Sequence, residues 1–143
     1  MKACFDRGIN FFDTAEIYSF GASEVDMGAA LNALGVPRKD YVLSTKLLQC
    51  GMGVNDGMLS RKHIIEGTRN SLKRLQHDYV DVLFAHRPDV STPLEETVRA
   101  FSWVIDQGMA HYLGTSEWSA VMIEQACQIA EKYNLHAPMF DQN

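Results

Sequence analysis

No stretch of this chain is apolar for the ~20 residues that a bilayer-spanning helix needs, and Met1-Lys2-Ala3-Cys4-Phe5-Asp6 lacks the continuous apolar core of a secretion signal. A cytoplasmic location and no membrane insertion are therefore expected. Cysteine is scarce too: Cys4, Cys50 and Cys127 are odd in number, far apart and without a Cys-x-x-Cys pair, which argues for reduced structural thiols over disulfides or a metal site. His63, His77, His86, His111 and His136 fall at no metal-ligand spacing. Positive charge is in deficit, and a net charge of -5 argues against nucleic acid or an anionic membrane as partner. The dinucleotide fingerprint is missing as well. Gly51-Met52-Gly53-Val54-Asn55-Asp56-Gly57 is spaced Gly-x-Gly-x-x-x-Gly and does not open a helix directly, so it reads as a mobile loop rather than a phosphate cradle.

What is present is a repeating pattern. With 143 residues, 46% hydrophobic and 22% charged, residues 1–143 read as a single globular domain. Residues 2 to 7 read as the last turns of a helix ended by Gly8. Ile9, Phe11 and Phe12 make a short strand covered on both faces, with Asp13 where the apolar run stops. Ser23 is placed to cap a helix that Gly35 closes, with Met27, Ala30, Leu31 and Leu34 on one face. A strand over 41 to 46 follows. Ser60 caps a helix to about Gln76 whose buried stripe is Ile64, Thr68, Leu72 and Leu75. Tyr79 to His86 is the clearest strand, and Asp81, which interrupts it, needs an ion pair or a backbone contact. Thr92-Pro93-Leu94-Glu95 reads as a capping box, opening a helix that buries Leu94, Val98, Phe101 and Ile105. A strand over 111 to 116, a helix capped by Ser119 and a strand from Pro138 complete the series.

Strict alternation of strand and helix implies a parallel sheet with helices outside, and without a nucleotide fingerprint it favours an α/β fold of the β/α barrel kind over a doubly wound sheet. In such barrels the reacting groups gather at the C-terminal ends of the strands. Those ends carry Asp13, Lys46, His86, Ser116 and Gln142, one polar group per strand, with Tyr18 on the loop after the first. A phenol titrates near about 10 and is a poor acid at neutrality, but an adjacent Lys46 ammonium favours the phenolate and makes Tyr18 a usable proton donor. Asp13 would keep the lysine charged and aimed. His86 could hydrogen-bond a carbonyl oxygen as charge develops on it. No side chain supplies hydride, so a reduced nicotinamide is required, and Ser116 and Gln142 have the donors and acceptors to hold its carboxamide.

The stretches Gly8-Ile9-Asn10-Phe11-Phe12-Asp13-Thr14-Ala15-Glu16-Ile17-Tyr18, Leu59-Ser60-Arg61-Lys62-His63-Ile64-Ile65-Glu66-Gly67, Arg87-Pro88-Asp89, Thr92-Pro93-Leu94-Glu95-Glu96-Thr97-Val98-Arg99-Ala100 and Gly114-Thr115-Ser116-Glu117-Trp118-Ser119 resemble the aldo-keto reductase superfamily. Within it the chain is most similar to the branch of voltage-gated potassium channel β subunits and related reductases. The resemblance implies a (β/α)8 TIM barrel, of which this chain carries about strands 2 to 6. It implies Asp13, Tyr18, Lys46 and His86 as the four catalytic positions, and Asp13, Ser116 and Gln142 as cofactor contacts. It further implies NADP(H) as cofactor, with aldehydes or ketones reduced to alcohols. Channel β subunits typically place asparagine where this chain has His86, whereas freestanding reductases keep histidine, which favours catalysis. Glu117 stands where many relatives carry asparagine or arginine and is left out of the site. The other implied role is that of a regulatory channel β subunit, sensing redox state through bound NADPH, with a homotetramer or a channel's cytoplasmic domain as partner. With an unclosed sheet, these 143 residues alone are expected to turn over a carbonyl substrate weakly or not at all.

Overall fold

The computed structural model describes residues 1–143, and helices alternate with strands along all of them. In order these are α1 (Lys2–Phe5), β1 (Phe11–Asp13), a 3-10 turn (Tyr18–Gly21), α2 (Ala22–Leu34), a second 3-10 turn (Arg38–Asp40), β2 (Val42–Leu47), α3 (Arg61–Leu75), β3 (Val80–Ala85), α4 (Leu94–Asp106), β4 (Ala110–Ser116), α5 (Ala120–Tyr133) and β5 (Pro138–Gln142). All five strands are parallel and lie side by side in chain order. A doubly wound sheet reverses its strand order at a switch point. Here each crossover moves the chain one strand further in the same direction, which is a portion of a (β/α)8 barrel. No helix is long and apolar enough to cross a membrane.

The two faces of the sheet differ. On the helix side, Phe12, Leu43, Leu47, Leu83 and Leu113 pack with Leu72 and Leu75 of α3 and Val98, Phe101 and Val104 of α4 in one buried core. Burying a side chain the size of Phe101 contributes about 2 kcal/mol. Two glycines permit this packing. At Gly28 of α2 an added Cβ would lie 2.1 Å from the Leu75 carbonyl oxygen, so α2 and α3 meet backbone to backbone. At Gly114 it would lie 2.4 Å from the ring of Phe84, which occupies the space instead.

On the opposite face the register lines up Asp13, Ser44, Val82 and Tyr112 in one row, then Lys46, Phe84, Gly114 and Phe140 in the next. Ser116 pairs with Gln142 one row further along. This is the face on which the expected rim residues fall.

Three expectations are corrected. The first strand is not covered on both faces: it is an edge strand, and Ile9 and Phe11 are 52% and 46% exposed, because only Phe12 turns towards the helices. Ser23 does not cap α2. Gly21 holds that position, at φ +88°, while the Ser23 hydroxyl lies within the first turn and bonds the Thr14 hydroxyl at 2.9 Å. The capping box at Thr92 and Glu95 does not form either, since Glu95 turns to Arg99 (2.8 Å) and the helix opens after Pro93 without a side-chain cap. Buried Asp89 does the work of ordering this turn. It accepts from the amides of Ser91 (2.8 Å), Thr92 (3.2 Å) and, across the loop, Leu59 (2.9 Å), and from the Ser91 hydroxyl (2.6 Å). Burial alone would raise the Asp89 pKa, but these hydrogen bonds outweigh it and bring it down to about 2.

The other caps are as expected. Ser60 accepts from the His63 amide at 3.2 Å, Ser119 from that of Met122 at 3.3 Å, and Gly35 ends α2 in the left-handed region. Asp81 finds both of its expected partners, the Arg38 guanidinium (2.6 Å) and the Leu43 amide (2.7 Å).

Candidate active site

The backbone after β1 continues along β2, with the Thr14 amide donating to the Ser44 carbonyl and the Glu16 amide to that of Lys46, both at 3.1 Å. Asp13 and the Thr14 carbonyl are thereby held over the end of β2. The chain then turns, Tyr18 amide to Ala15 carbonyl at 3.1 Å, and presents the Tyr18 ring at the rim. Ser19 and Phe20 follow with φ of 51° and 52°, a left-handed pair that costs side-chain-bearing residues some strain.

Lys46 is only 1% exposed. A buried ammonium needs partners for its three donors. One goes to the Asp13 carboxylate and one to the Thr14 carbonyl at 2.9 Å, while the phenol oxygen of Tyr18 lies 3.5 Å from Nζ. Asp13 is steadied in turn by the Ser44 hydroxyl at 2.6 Å. These four side chains arise from β1, β2 and the loop between β1 and α2, and the sheet register brings them together.

His86 follows β3, anchored by its amide to the Leu47 carbonyl at 3.0 Å. Its ring meets that of Tyr18 edge-on, centroids 5.7 Å apart at 83°. Burial lowers its pKa, and the positive charges of Lys46 and Arg87 push the same way, so the imidazole is neutral at pH 7. Its Nδ1 is buried without a partner.

Ser116 is buried at the end of β4, and its hydroxyl oxygen accepts from Arg87 Nη1 at 3.1 Å. The same guanidinium nitrogen donates to the His86 carbonyl at 2.7 Å. Gln142 is exposed at the end of β5 opposite Ser116, and its backbone carbonyl accepts from the Glu117 amide at 3.2 Å. The structure thus brings Asp13, Tyr18, Lys46 and His86 into one contiguous group and sets Ser116 and Gln142 beside it.

Two features are additional to the sequence reading. Arg87 falls in the Arg87-Pro88-Asp89 stretch that carries the resemblance, but nothing in that stretch announces its role in joining Ser116 to the His86 backbone. Glu16, wholly buried beneath the Tyr18 loop, bonds His63 at 2.8 Å. Both residues fall in stretches that carry the resemblance, but nothing in the sequence pairs two positions 47 apart.

The glycine-rich loop is filled by its own acid. Asp56 Oδ2 accepts from the Gly53 amide at 2.8 Å and lies 2.3 Å and 2.6 Å from where Cβ atoms on Gly51 and Gly53 would be. A carboxylate in that position repels a phosphate. No group of three or more His, Cys, Asp or Glu is arranged to hold a metal ion.

A family model described as the aldo/keto reductase family matches residues 1–142. Among curated proteins, the chain is 57% identical over 142 residues to a probable voltage-gated potassium channel subunit beta of Oryza sativa subsp. japonica, covering 99% of this chain and 43% of that protein. It is 58% identical over 145 residues to a putative voltage-gated potassium channel subunit beta of Schizosaccharomyces pombe, covering 99% and 42%. Among solved structures, a thermostable aldo-keto reductase crystallised with the inhibitor epalrestat superposes with a TM-score of 0.84 at 29% identity, over 98% of this chain and 46% of its own. The chain spans less than half the length of each of these relatives.

Proposed function

The chain belongs to the aldo/keto reductase family, and from that membership we propose that it serves an NADP-dependent oxidoreductase that reduces an aldehyde or ketone to an alcohol. The observation that carries this reading is the buried Lys46 ammonium, tied to Asp13 and the Thr14 carbonyl and 3.5 Å from the Tyr18 oxygen. The donor set at the rim fits a nicotinamide: the Ser116 hydroxyl and Gln142 amide stand on paired strands beside His86, with the donors and acceptors that a carboxamide needs. When bound, the reduced cofactor supplies the hydride that no side chain can.

The chain's own residues manage the proton and the charge. As the carbonyl carbon is reduced, the C=O π bond breaks and its electron pair moves onto oxygen. Tyr18 gives its phenolic proton to that oxygen, and the phenolate left behind is stabilised by the Lys46 ammonium. Asp13 holds the ammonium in place, so that no reorganisation is needed as charge moves. Neutral His86 donates a hydrogen bond to the same oxygen and helps to orient the substrate. Tyr18 is 42% exposed, which gives solvent a route to restore the proton.

Tyr18→Phe, made in the oxidoreductase that the chain is proposed to serve, tests this. It should abolish aldehyde-dependent NADPH oxidation, a loss of about 10²- to 10⁴-fold, while quenching of Trp103 and Trp118 fluorescence by NADPH persists. An unaffected rate would end the proposal.

The identity of 57% to a protein named as a potassium channel beta subunit favours a second role. In it the chain belongs to a cytoplasmic regulatory subunit that binds NADPH as a redox sensor and docks on a channel's cytoplasmic domain. This role predicts co-purification with that domain as a four-fold assembly, and a monodisperse monomer at high concentration counts against it.

A further inference from the structure

Two residues before Tyr18, the Glu16 carboxylate is fully buried and takes no part in the proton path. Its Oε1 accepts from the Leu48 amide at 2.6 Å, just past the strand that carries Lys46, and from His63 Nε2 at 2.8 Å. His63 stands in the first turn of α3 and shares a small cleft with Asn55 and Asp56 of the glycine-rich loop. One carboxylate therefore joins the Tyr18 loop, the end of β2 and α3. Gly67 permits the approach, since a Cβ there would lie 3.2 Å from Glu16 Oε2. Downstream the Tyr18 loop has little to hold it: Phe20 is 76% exposed and, like Ser19, adopts left-handed backbone.

We propose that Glu16, with His63 as its counter-charge, is a positioning residue for Tyr18, clamping the phenol-bearing loop to the strand end that carries Lys46 and so setting the distance between the two reacting groups. The functional half of this inference rests on the reading of Tyr18 as proton donor.

The charges facing the pair set its pH response. Asp56, Glu66, Cys50 and Arg74 line the same small cleft, and Arg74 is occupied by Glu24 at 2.6 Å. Burial pushes the His63 pKa down, but the hydrogen bond and charge of Glu16, the Asn55 backbone and Asp56 outweigh it, and the net shift is upward. A raised histidine pKa means that the ionic part of the clamp is complete below the ordinary value near 6.5 and is lost as pH rises through the folded-state value, while the Leu48 amide contact remains.

The test uses the whole chain and needs neither cofactor nor turnover. Aromatic NMR reads the ring-to-ring NOE between Tyr18 and His86 across pH, alongside the His63 titration and thermal melting. The NOE should weaken in step with His63 deprotonation in the native chain. In Glu16→Gln, which keeps both acceptor contacts but lacks the charge, the midpoint should move to lower pH. In Glu16→Ala the NOE should be at least twofold weaker at every pH. An NOE that stays constant through the His63 titration, or one unchanged in Glu16→Ala while the melting temperature falls, would overturn the inference and leave Glu16 as a packing element. If Glu16→Ala does not fold, the native and Glu16→Gln titrations decide alone. An intact coupling in a chain whose Tyr18→Phe variant behaves normally in turnover would sink the catalytic reading and spare the clamp.

Discussion

Strands β2 and β3 carry a cation at each end, and the two are housed differently. At the N-terminal end Arg38 is sandwiched between the rings of Tyr41 and Tyr79, at 4.9 and 4.1 Å from their centroids. It donates to the Tyr41 carbonyl (2.9 Å) and to Asp81 (2.6 Å), leaving only Nε without a partner. Beside it the Tyr41 hydroxyl meets His77 Nε2 at 2.5 Å, and the other ring nitrogen bonds the Leu75 carbonyl at 2.6 Å. At the C-terminal end Lys46 has a long 3.5 Å contact to Tyr18, and His86 has a buried nitrogen with no partner. Polar groups that complete one another stabilise a fold, whereas groups left incomplete hold capacity for a ligand. The contrast is in keeping with the division of labour in β/α barrels and with the chemistry proposed above for the C-terminal end.

Substitutions at the two ends should break or sharpen that contrast. Asp81→Ala is the largest change: it strands the Arg38 guanidinium and the Leu43 amide, and urea denaturation should show a loss of about 3 kcal/mol. Asp89 cuts across the pattern, being a structural acid on the loop after β3. With its pKa lowered from 3.8 to about 2, its contribution is present above pH 4 and lost as pH falls through 2. Denaturation across that range should show about 2 kcal/mol that is absent in Asp89→Asn. Tyr41→Phe takes away the partner of His77 and should cost about 1 kcal/mol. His86 should leave a weaker pH signature: its lowered pKa makes its contribution complete above the ordinary value near 6.5 and lost as pH falls below it. A His86→Leu variant should lack that slope. Tyr18→Phe is the smallest, within about 0.5 kcal/mol by the same urea assay, because its phenol is exposed and makes only the long contact.

The helix and strand series was legible because periodicity is local: Ile64, Thr68, Leu72 and Leu75 announce their helix, and the apolar run from Val82 to Ala85 its strand. The convergence of Asp13, Tyr18, Lys46 and His86 was legible for a different reason, since parallel strands deliver their last residues to one rim whatever lies between. Contacts set by tertiary approach were not. The Glu16 and His63 pair joins two segments 47 residues apart, and no spacing rule encodes it. The capping box at Thr92 was a sound local pattern defeated by a nearby competitor, Asp89, which already held the Ser91 and Thr92 amides. The exposure of Phe11 depends on where β1 sits in the sheet, which its three residues cannot reveal.

The Phe84 ring beside Gly114 ties the fates of two positions. Because the ring fills the volume that a methyl group at 114 would need, and is itself only 4% exposed with little room to swing aside, neither site is free to drift alone. A lineage that replaced the glycine would first have to shrink its neighbour, and descendants should therefore carry either the large-and-empty combination or its reverse, with few intermediates between.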